Sequence, residues 1–398
     1  MTESFLHQER GTSVYWAQPD NLPTSGIREI LDIALQMSGA IRLETGEPNF
    51  PPDPAVIDAF YEAARAGHNR YTSSWGILPL REALADKIRS VNHVIRSPEE
   101  ILVTPGGSPG LFLAFLGTLG AGDQVLVPNP GWPDYLGGIR ALHLDPIFYP
   151  LPAPQFWPDL SVLEELVTPR TRAIVVNFPG NPAGSIPPRT VIEALVEFAH
   201  THDLWIISDE VYDQIVYTDT VLSPAQLAPE RTISVYSFSK TYAMTGWRLG
   251  YVALPWPYSE SLNRIAMGLW SSVAEPLQYA GLTALKTGSP GITTRLEHYR
   301  RRRDLALNLL NSYQIPCHRP DGAFYLLVDI SRTGMRSRDF ALQLLEQEKV
   351  AVAPGSAFGS MTDHYVRISL ASSEEDLTQG LTILAQVLQN PISLAPRR

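Results

Sequence analysis

The chain has 398 residues, 44% hydrophobic and 18% charged, with a net charge of −10 and a single cysteine, Cys317. That length suits two or three domains with a sizeable core, and the acidic balance disfavours a general binder of nucleic acid or anionic membrane. One cysteine excludes an intrachain disulfide and fits a reducing compartment.

Residues 1–25 are polar with scattered aromatics, Phe5, Tyr15 and Trp16, and read as an extended arm. They lack the apolar stretch of a secretory signal, and no apolar run in the chain reaches the ~18 residues that cross a bilayer. Ser25 is placed to cap a helix opening at Gly26. Leu43-Glu44-Thr45-Gly46-Glu47-Pro48 reads as a strand running into a glycine–proline turn, and Val56 to Ala64 has helical spacing. The segment from Tyr71 to Arg81 follows, with Trp75 and Gly76 inside it. Ile101–Thr104 is a short buried strand, then Pro105-Gly106-Gly107-Ser108-Pro109-Gly110, then an apolar helix from Leu111 to Leu119. Strand, glycine loop and helix start make an anion site, because glycines let backbone N–H groups approach and the helix N-terminus is partly positive. Pro109 suits a first helical turn, where its missing donor has no partner to lose.

Four further strands each end in a polar segment. Gln124–Val127 leads to Pro128-Asn129-Pro130-Gly131-Trp132-Pro133-Asp134-Tyr135, and Ala173–Val176 leads to Asn177-Phe178-Pro179-Gly180-Asn181-Pro182. Leu204–Ser208 delivers Asp209, with Tyr212 three residues on. The apolar run Ile233–Tyr236 then delivers Ser237-Phe238-Ser239-Lys240, followed by Arg248 and Gly250. Open α/β sheets bind ligands at the carboxyl ends of their strands. A lysine held there can lower its pKa and attack carbonyls. Ser237, Ser239 and Arg248 offer two short donors and one forked cation, the groups that hold a phosphate. A carbonyl-trapping lysine beside a phosphate cup implies pyridoxal 5′-phosphate.

Tyr258 to Lys286 is helical in pattern and carries Trp270 and Gln278, and residues 291–313 form a long helix. Four consecutive arginines, Arg300 to Arg303, read as a solvated helix face. A separate α+β segment opens at Pro320-Asp321-Gly322-Ala323-Phe324-Tyr325. In it Arg367 is flanked by apolar strand residues, where an unpaired charge is costly and a bidentate carboxylate is a natural partner. An internal salt bridge is the plainer alternative. His200 and His202 are two apart in a helical pattern and do not share a face, so no metal site is expected.

These motifs, in this order from about residue 25 to 390, resemble the class I/II aminotransferases of fold type I. The resemblance implies an α/β fold, with a three-layer α/β/α large domain on a mostly parallel sheet and a smaller α+β domain. It places an N-terminal arm and part of the small domain at 1–45, the large domain at 46–288 and the small C-terminal domain at 289–398. Lys240 would hold pyridoxal 5′-phosphate as a Schiff base and shuttle the α-proton. Asp209 would keep the pyridine nitrogen protonated, while Asn181 and Tyr212 share the cofactor's phenolic oxygen. Trp132 would stack on the ring, and Gly106, Gly107, Ser108, Ser237, Ser239 and Arg248 would bind the phosphate. Tyr71 would reach across a homodimer to the neighbour's phosphate, a core tyrosine being the alternative. Gly46, Asn181 and Arg367 would meet the substrate, Arg367 through its α-carboxylate.

The function implied is amino-group transfer between an L-amino acid and a 2-oxo acid in the cytoplasm, with another reaction of the same cofactor as the alternative. A transcription regulator with an aminotransferase-like domain would need a DNA-binding domain ahead of residue 25. Some dicarboxylate-specific relatives carry a lysine aligned with Ser108, which has no charge to offer. Tyr15, Trp16, Trp75, Trp270 and Phe358 are the expected apolar neighbours of a neutral substrate, and Arg81 is the cation that could instead serve an acidic one.

Overall fold

A computed structural model describes residues 25–218 and 221–390. The expected N-terminal arm, with Tyr15 and Trp16, lies outside the described residues. Seven strands form the central sheet: β1 (Ile101–Thr104), β2 (Gln124–Asn129), β3 (Asp145–Pro150), β4 (Thr171–Val176), β5 (Trp205–Asp209), β6 (Thr232–Ser237) and β7 (Gly250–Ala253). Their order is β1-β7-β6-β5-β4-β2-β3. β7 runs antiparallel to both neighbours and the other pairings are parallel.

Side chains alternate across each strand, so an apolar run can serve two faces. Val125 and Val127 of β2 and Ala173 and Val175 of β4 pack under the helices Gly107–Thr118 and Trp256–Trp270. Leu126, Ile174 and Val176 point the other way, against Ile192 and Leu195 of the helix Arg189–Thr201. Helices therefore cover both faces of the sheet, as a mostly parallel sheet requires.

A second, antiparallel sheet runs Ala353–Pro354, Tyr365–Ser369, Tyr325–Asp329, Cys317–His318. The N-terminal segment joins this part of the molecule. Ile41–Arg42 pairs in parallel with Val350–Ala351, and the helix Gly26–Gln36 buries Ile30 and Ala34 in the same apolar cluster. Ser25 caps that helix, its side chain accepting from the Arg28 N–H at 3.4 Å. Among the described residues no helix is long and apolar enough to cross a membrane.

Two local expectations need correction. The stretch from Tyr258 to Lys286 is two helices, Trp256–Trp270 and Glu275–Thr287, broken at Ser271 with φ +62°. Pro276 is the signal: it sits in the first turn of the second helix, where its missing N–H leaves no bond unmade. The arginine run is only partly a solvated face. Arg301 is exposed and paired with Glu374, but Arg302 and Arg303 are buried. Arg302 donates to Asn49 Oδ1 at 2.9 Å and lies over the Phe50 ring, and Arg303 lies over Tyr217. Planar guanidinium groups tolerate such burial by stacking, and Arg302 is held through Nη1 while its Nε finds no partner.

Candidate active site

The carboxyl ends of the parallel strands open onto one cavity. β5 ends on Asp209 and β6 on Ser237, and a short helical turn, Phe238–Thr241, carries Lys240. Beyond β1, Gly107 begins a helix whose N-terminus faces the same space. The cavity measures about 260 Å³. Among the residues lining it are Gly46, Gly107, Ser108, Trp132, Asn181 and Asp209, and with them Tyr212, Ser237, Ser239, Lys240, Arg248 and Arg367. Twelve of the residues singled out from the sequence thus meet at one place. Gly106 stands just behind, with φ +109°, and a Cβ there would come within 2.6 Å of Arg248 Nη2. Glycine is what lets the Arg248 guanidinium come that close.

Lys240 Nζ donates to the Gly46 carbonyl at 2.7 Å. Burial, and after it the Arg367 charge, lower the lysine to about 8. Asp209 is buried, and desolvation raises its carboxyl to about 6 against the hydrogen bonds that hold it down. Its Oδ2 accepts from Tyr135 OH at 2.5 Å. Its Oδ1 is buried with no partner, so the carboxylate keeps an acceptor for something that enters the cavity. Arg367 is buried, and burial lowers its pKa. It donates to Asn181 Oδ1 at 3.0 Å and to the Glu44 carbonyl, and its Nε has no partner. Among the described residues it makes no ion pair, so the internal salt bridge is not the arrangement found. Its guanidinium lies 4.4 Å from the Tyr325 ring and 4.9 Å from the Phe358 ring.

Several expected neighbours stand elsewhere. Tyr71 is 90% exposed, which rules out the core tyrosine alternative. Arg81 donates to the carbonyls of Gly76 and Pro98, and is not part of the cavity wall. Trp75 packs into the sheet's core, and Trp270 lines an adjoining apolar cavity behind Trp132. Phe358 does reach the site, through Arg367. His202 pairs with Glu164 and His200 with Glu230, and no group among the described residues could hold a metal ion.

The sequence reading missed Tyr135, Tyr325 and Asn177. Tyr212 OH and Tyr325 OH are 2.7 Å apart. Asn177 Nδ2 donates to the Asp209 carbonyl at 2.8 Å, and its Oδ1 accepts from the Asn181 N–H. All three lie in segments already marked as motifs. Their polar groups act on other site residues, which only the tertiary contacts reveal.

The chain matches the family model for aminotransferase class I and II over residues 38–384. It is 38% identical over 362 residues to the aspartate/prephenate aminotransferase of Thermus thermophilus, covering 90% of this chain and 93% of that protein. It is 36% identical over 372 residues to aromatic-amino-acid aminotransferase 2 of Thermococcus litoralis, covering 92% of this chain and 96% of that one. The solved structure of the Thermus thermophilus aspartate aminotransferase with maleate superposes with a TM-score of 0.88 at 36% identity, covering 92% of this chain and 97% of that chain.

Proposed function

This chain belongs to the class I and II aminotransferases, and from that premise we propose how its own residues carry the reaction. It is a fold-type I, pyridoxal 5′-phosphate-dependent aminotransferase, moving an amino group between an L-amino acid and a 2-oxo acid. When bound, the cofactor supplies a carbonyl that takes up amino groups and a cationic ring that draws electrons from the substrate's α-carbon. The residues fit it: an unpartnered carboxylate oxygen for a ring N–H, a lysine amine, and a phosphate cup lie in one cavity.

Lys240 Nζ is the attaching amine. With its pKa near 8, a useful fraction is unprotonated at neutral pH, so its amine would attach the cofactor's carbonyl and would move the substrate's α-proton. Asp209 Oδ1 is the counter-ion of the ring nitrogen; a carboxyl titrating near 6 is ionised above neutrality. The Gly107 helix start, Ser108, Ser237, Ser239 and Arg248 hold the phosphate, and Gly106 gives Arg248 room. Trp132 is the ring's aromatic wall, and Asn181 and Tyr212 donate to the phenolic oxygen. Arg367, with Nε free and the Gly46 turn beside it, binds the α-carboxylate bidentately. We assign residues 1–45 and 289–398 to the small domain and 46–288 to the large one, supported by the pairing of Ile41–Arg42 with Val350–Ala351. The exposed Tyr71 supports a homodimer in which it serves the partner's site. A lone, unpaired Cys317 fits a cytoplasmic enzyme.

The single observation that carries this reading is the pairing of the Lys240 amine with the unpartnered Asp209 oxygen in one cavity. Mixing the loaded enzyme with each amino acid in turn, without an acceptor, tests it. The cofactor's absorbance band shifts with a true donor and returns on adding a 2-oxo acid; no shift with any of them discards it.

The preferred donor is neutral, aromatic or aliphatic, with 2-oxoglutarate one candidate acceptor. Relatives carry both aspartate and aromatic names. Among the described residues, the cations lining the cavity are Lys240, Arg248 and Arg367, each already engaged in the scheme above. Ile27, Leu111 and Trp132 complete an apolar wall that penalises an unpaired carboxylate by several kcal/mol. Comparing kcat/KM for aspartate, phenylalanine, leucine and alanine decides it. Aspartate winning by more than about tenfold, ~1.4 kcal/mol of transition-state preference, would discard the idea.

A further inference from the structure

Tyr212 and Tyr325 come from separate segments, one just after β5 and the other at the start of a strand in the small antiparallel sheet. Their hydroxyls meet at 2.7 Å inside the cavity. Each phenol has one proton, so only one of the two can donate in this contact. The Arg367 guanidinium lies over the Tyr325 ring, 4.4 Å from its centroid. A cation on the ring face draws electron density from the phenol and makes its O–H the better donor. Burial raises the Tyr325 phenol, and the Arg367 charge draws it back down. On Tyr212 burial acts first and the neighbouring Tyr325 next, both upward, with Arg367 a lesser opposing influence. Tyr325 is therefore the donor and Tyr212 the acceptor, which leaves the Tyr212 proton unspent.

We propose that Tyr325 is a positioning residue that holds the Tyr212 hydroxyl so that its proton points into the cavity, toward the cofactor's phenolic oxygen. A phenol that accepts one hydrogen bond donates a stronger second one. Tyr325 is itself fixed on two sides, by Arg367 over its ring and by the Gly46 turn. A Cβ on Gly46 would sit 2.2 Å from the Tyr325 hydroxyl oxygen. The same tyrosine thus connects the residue proposed for the α-carboxylate with the one proposed for the phenolic oxygen. The charged and titratable groups facing the pair are Arg367, Asp209, Tyr135 and Tyr299, with Lys240 on the same cavity wall.

The inference rests on Tyr212 standing beside the cofactor, and the test separates the two ideas. The readout is the pH at which the holoenzyme's visible cofactor band changes, measured without substrate. Tyr325→Phe keeps the ring under Arg367 and removes only the hydroxyl. It moves that pH upward by roughly 0.5 to 1 unit, the scale of one neutral hydrogen bond. Tyr212→Phe moves it further. In the Tyr212→Phe background, adding Tyr325→Phe produces no further shift, because Tyr325 acts through Tyr212. A shift for Tyr212→Phe with none for Tyr325→Phe overturns the positioning role alone, as does an equal Tyr325→Phe shift in both backgrounds. No shift for Tyr212→Phe overturns the placement of Tyr212 as well.

Discussion

Lys240 and Asp209 are both buried where their charged forms are disfavoured, and the proposed chemistry uses that in opposite ways. Lowering the lysine to about 8 makes its amine available. On the proposed roles, Lys240→Ala removes nucleophile and proton carrier together, so turnover falls by several orders of magnitude while the fold persists. Near-normal turnover, or a borohydride-reducible adduct in the variant, would remove Lys240 from the mechanism. Asp209 carries a stability cost instead. Its folded carboxyl titrates near 6, against ~3.9 in an unfolded chain. Between those values the folded state holds more protons, so stability falls as pH rises through the window, and the penalty is complete above it. The gap corresponds to roughly 3 kcal/mol. In cofactor-free protein at pH 8, Asp209→Asn keeps an acceptor for Tyr135 and melts higher than wild type, the gap closing near pH 4. In the loaded enzyme the order reverses, because the amide supplies no counter-ion and α-proton removal slows. Identical pH dependence of Tm in the two cofactor-free proteins would refute the account.

At the scale of elements, the site is a set of strand ends, and the loop after β1 shows how tightly an element is tied to it. Gly106 has φ +109°, and a side chain there would push on Arg248. Gly106→Ala therefore strains the backbone by ~1–3 kcal/mol and displaces a proposed phosphate ligand. Cofactor affinity, read by absorbance titration of the stripped enzyme, drops by about tenfold or more. Unchanged affinity would detach Arg248 from the phosphate. Five of the seven strands of the central sheet were legible because each apolar run is short and ends in a polar motif, whereas β3 and β7 carry no such motif and were not singled out. The break at Ser271 was less so, since helical periodicity continues across it and Pro276 alone signals a new start.

For the whole molecule, the exposed Tyr71 is the feature that a single chain does not explain. In a dimer with shared sites, a Tyr71→Ala subunit lacks nothing in its own site when its partner is intact, and a Lys240→Ala subunit can supply the tyrosine. Mixing the two variants under subunit exchange restores activity above the sum of the separate proteins, toward about a quarter of wild type if assortment is random. Strictly additive activity in a demonstrated heterodimer would place Tyr71 outside the neighbour's site. The join between the first residues and the last hundred also belongs to this scale, because Ile41–Arg42 finds its partner strand some three hundred residues away.

The sequence by itself determined the class of chemistry. Lys240 three residues past a buried strand, Asp209 ending another and a glycine loop opening a helix are local patterns, each bound to a strand end by the chain's own connectivity. Tertiary structure decided what those groups do to one another. The Tyr135 bond to Asp209, the Tyr325 contact with Tyr212 and the Arg367 bond to Asn181 join residues 74, 113 and 186 positions apart. Tertiary structure also decided that Arg302 and Arg303 are buried and that Arg81 is occupied by carbonyls. Charge state and hydrogen-bond partner depend on burial and on distances of a few ångströms, and spacing along a chain fixes neither until the fold closes.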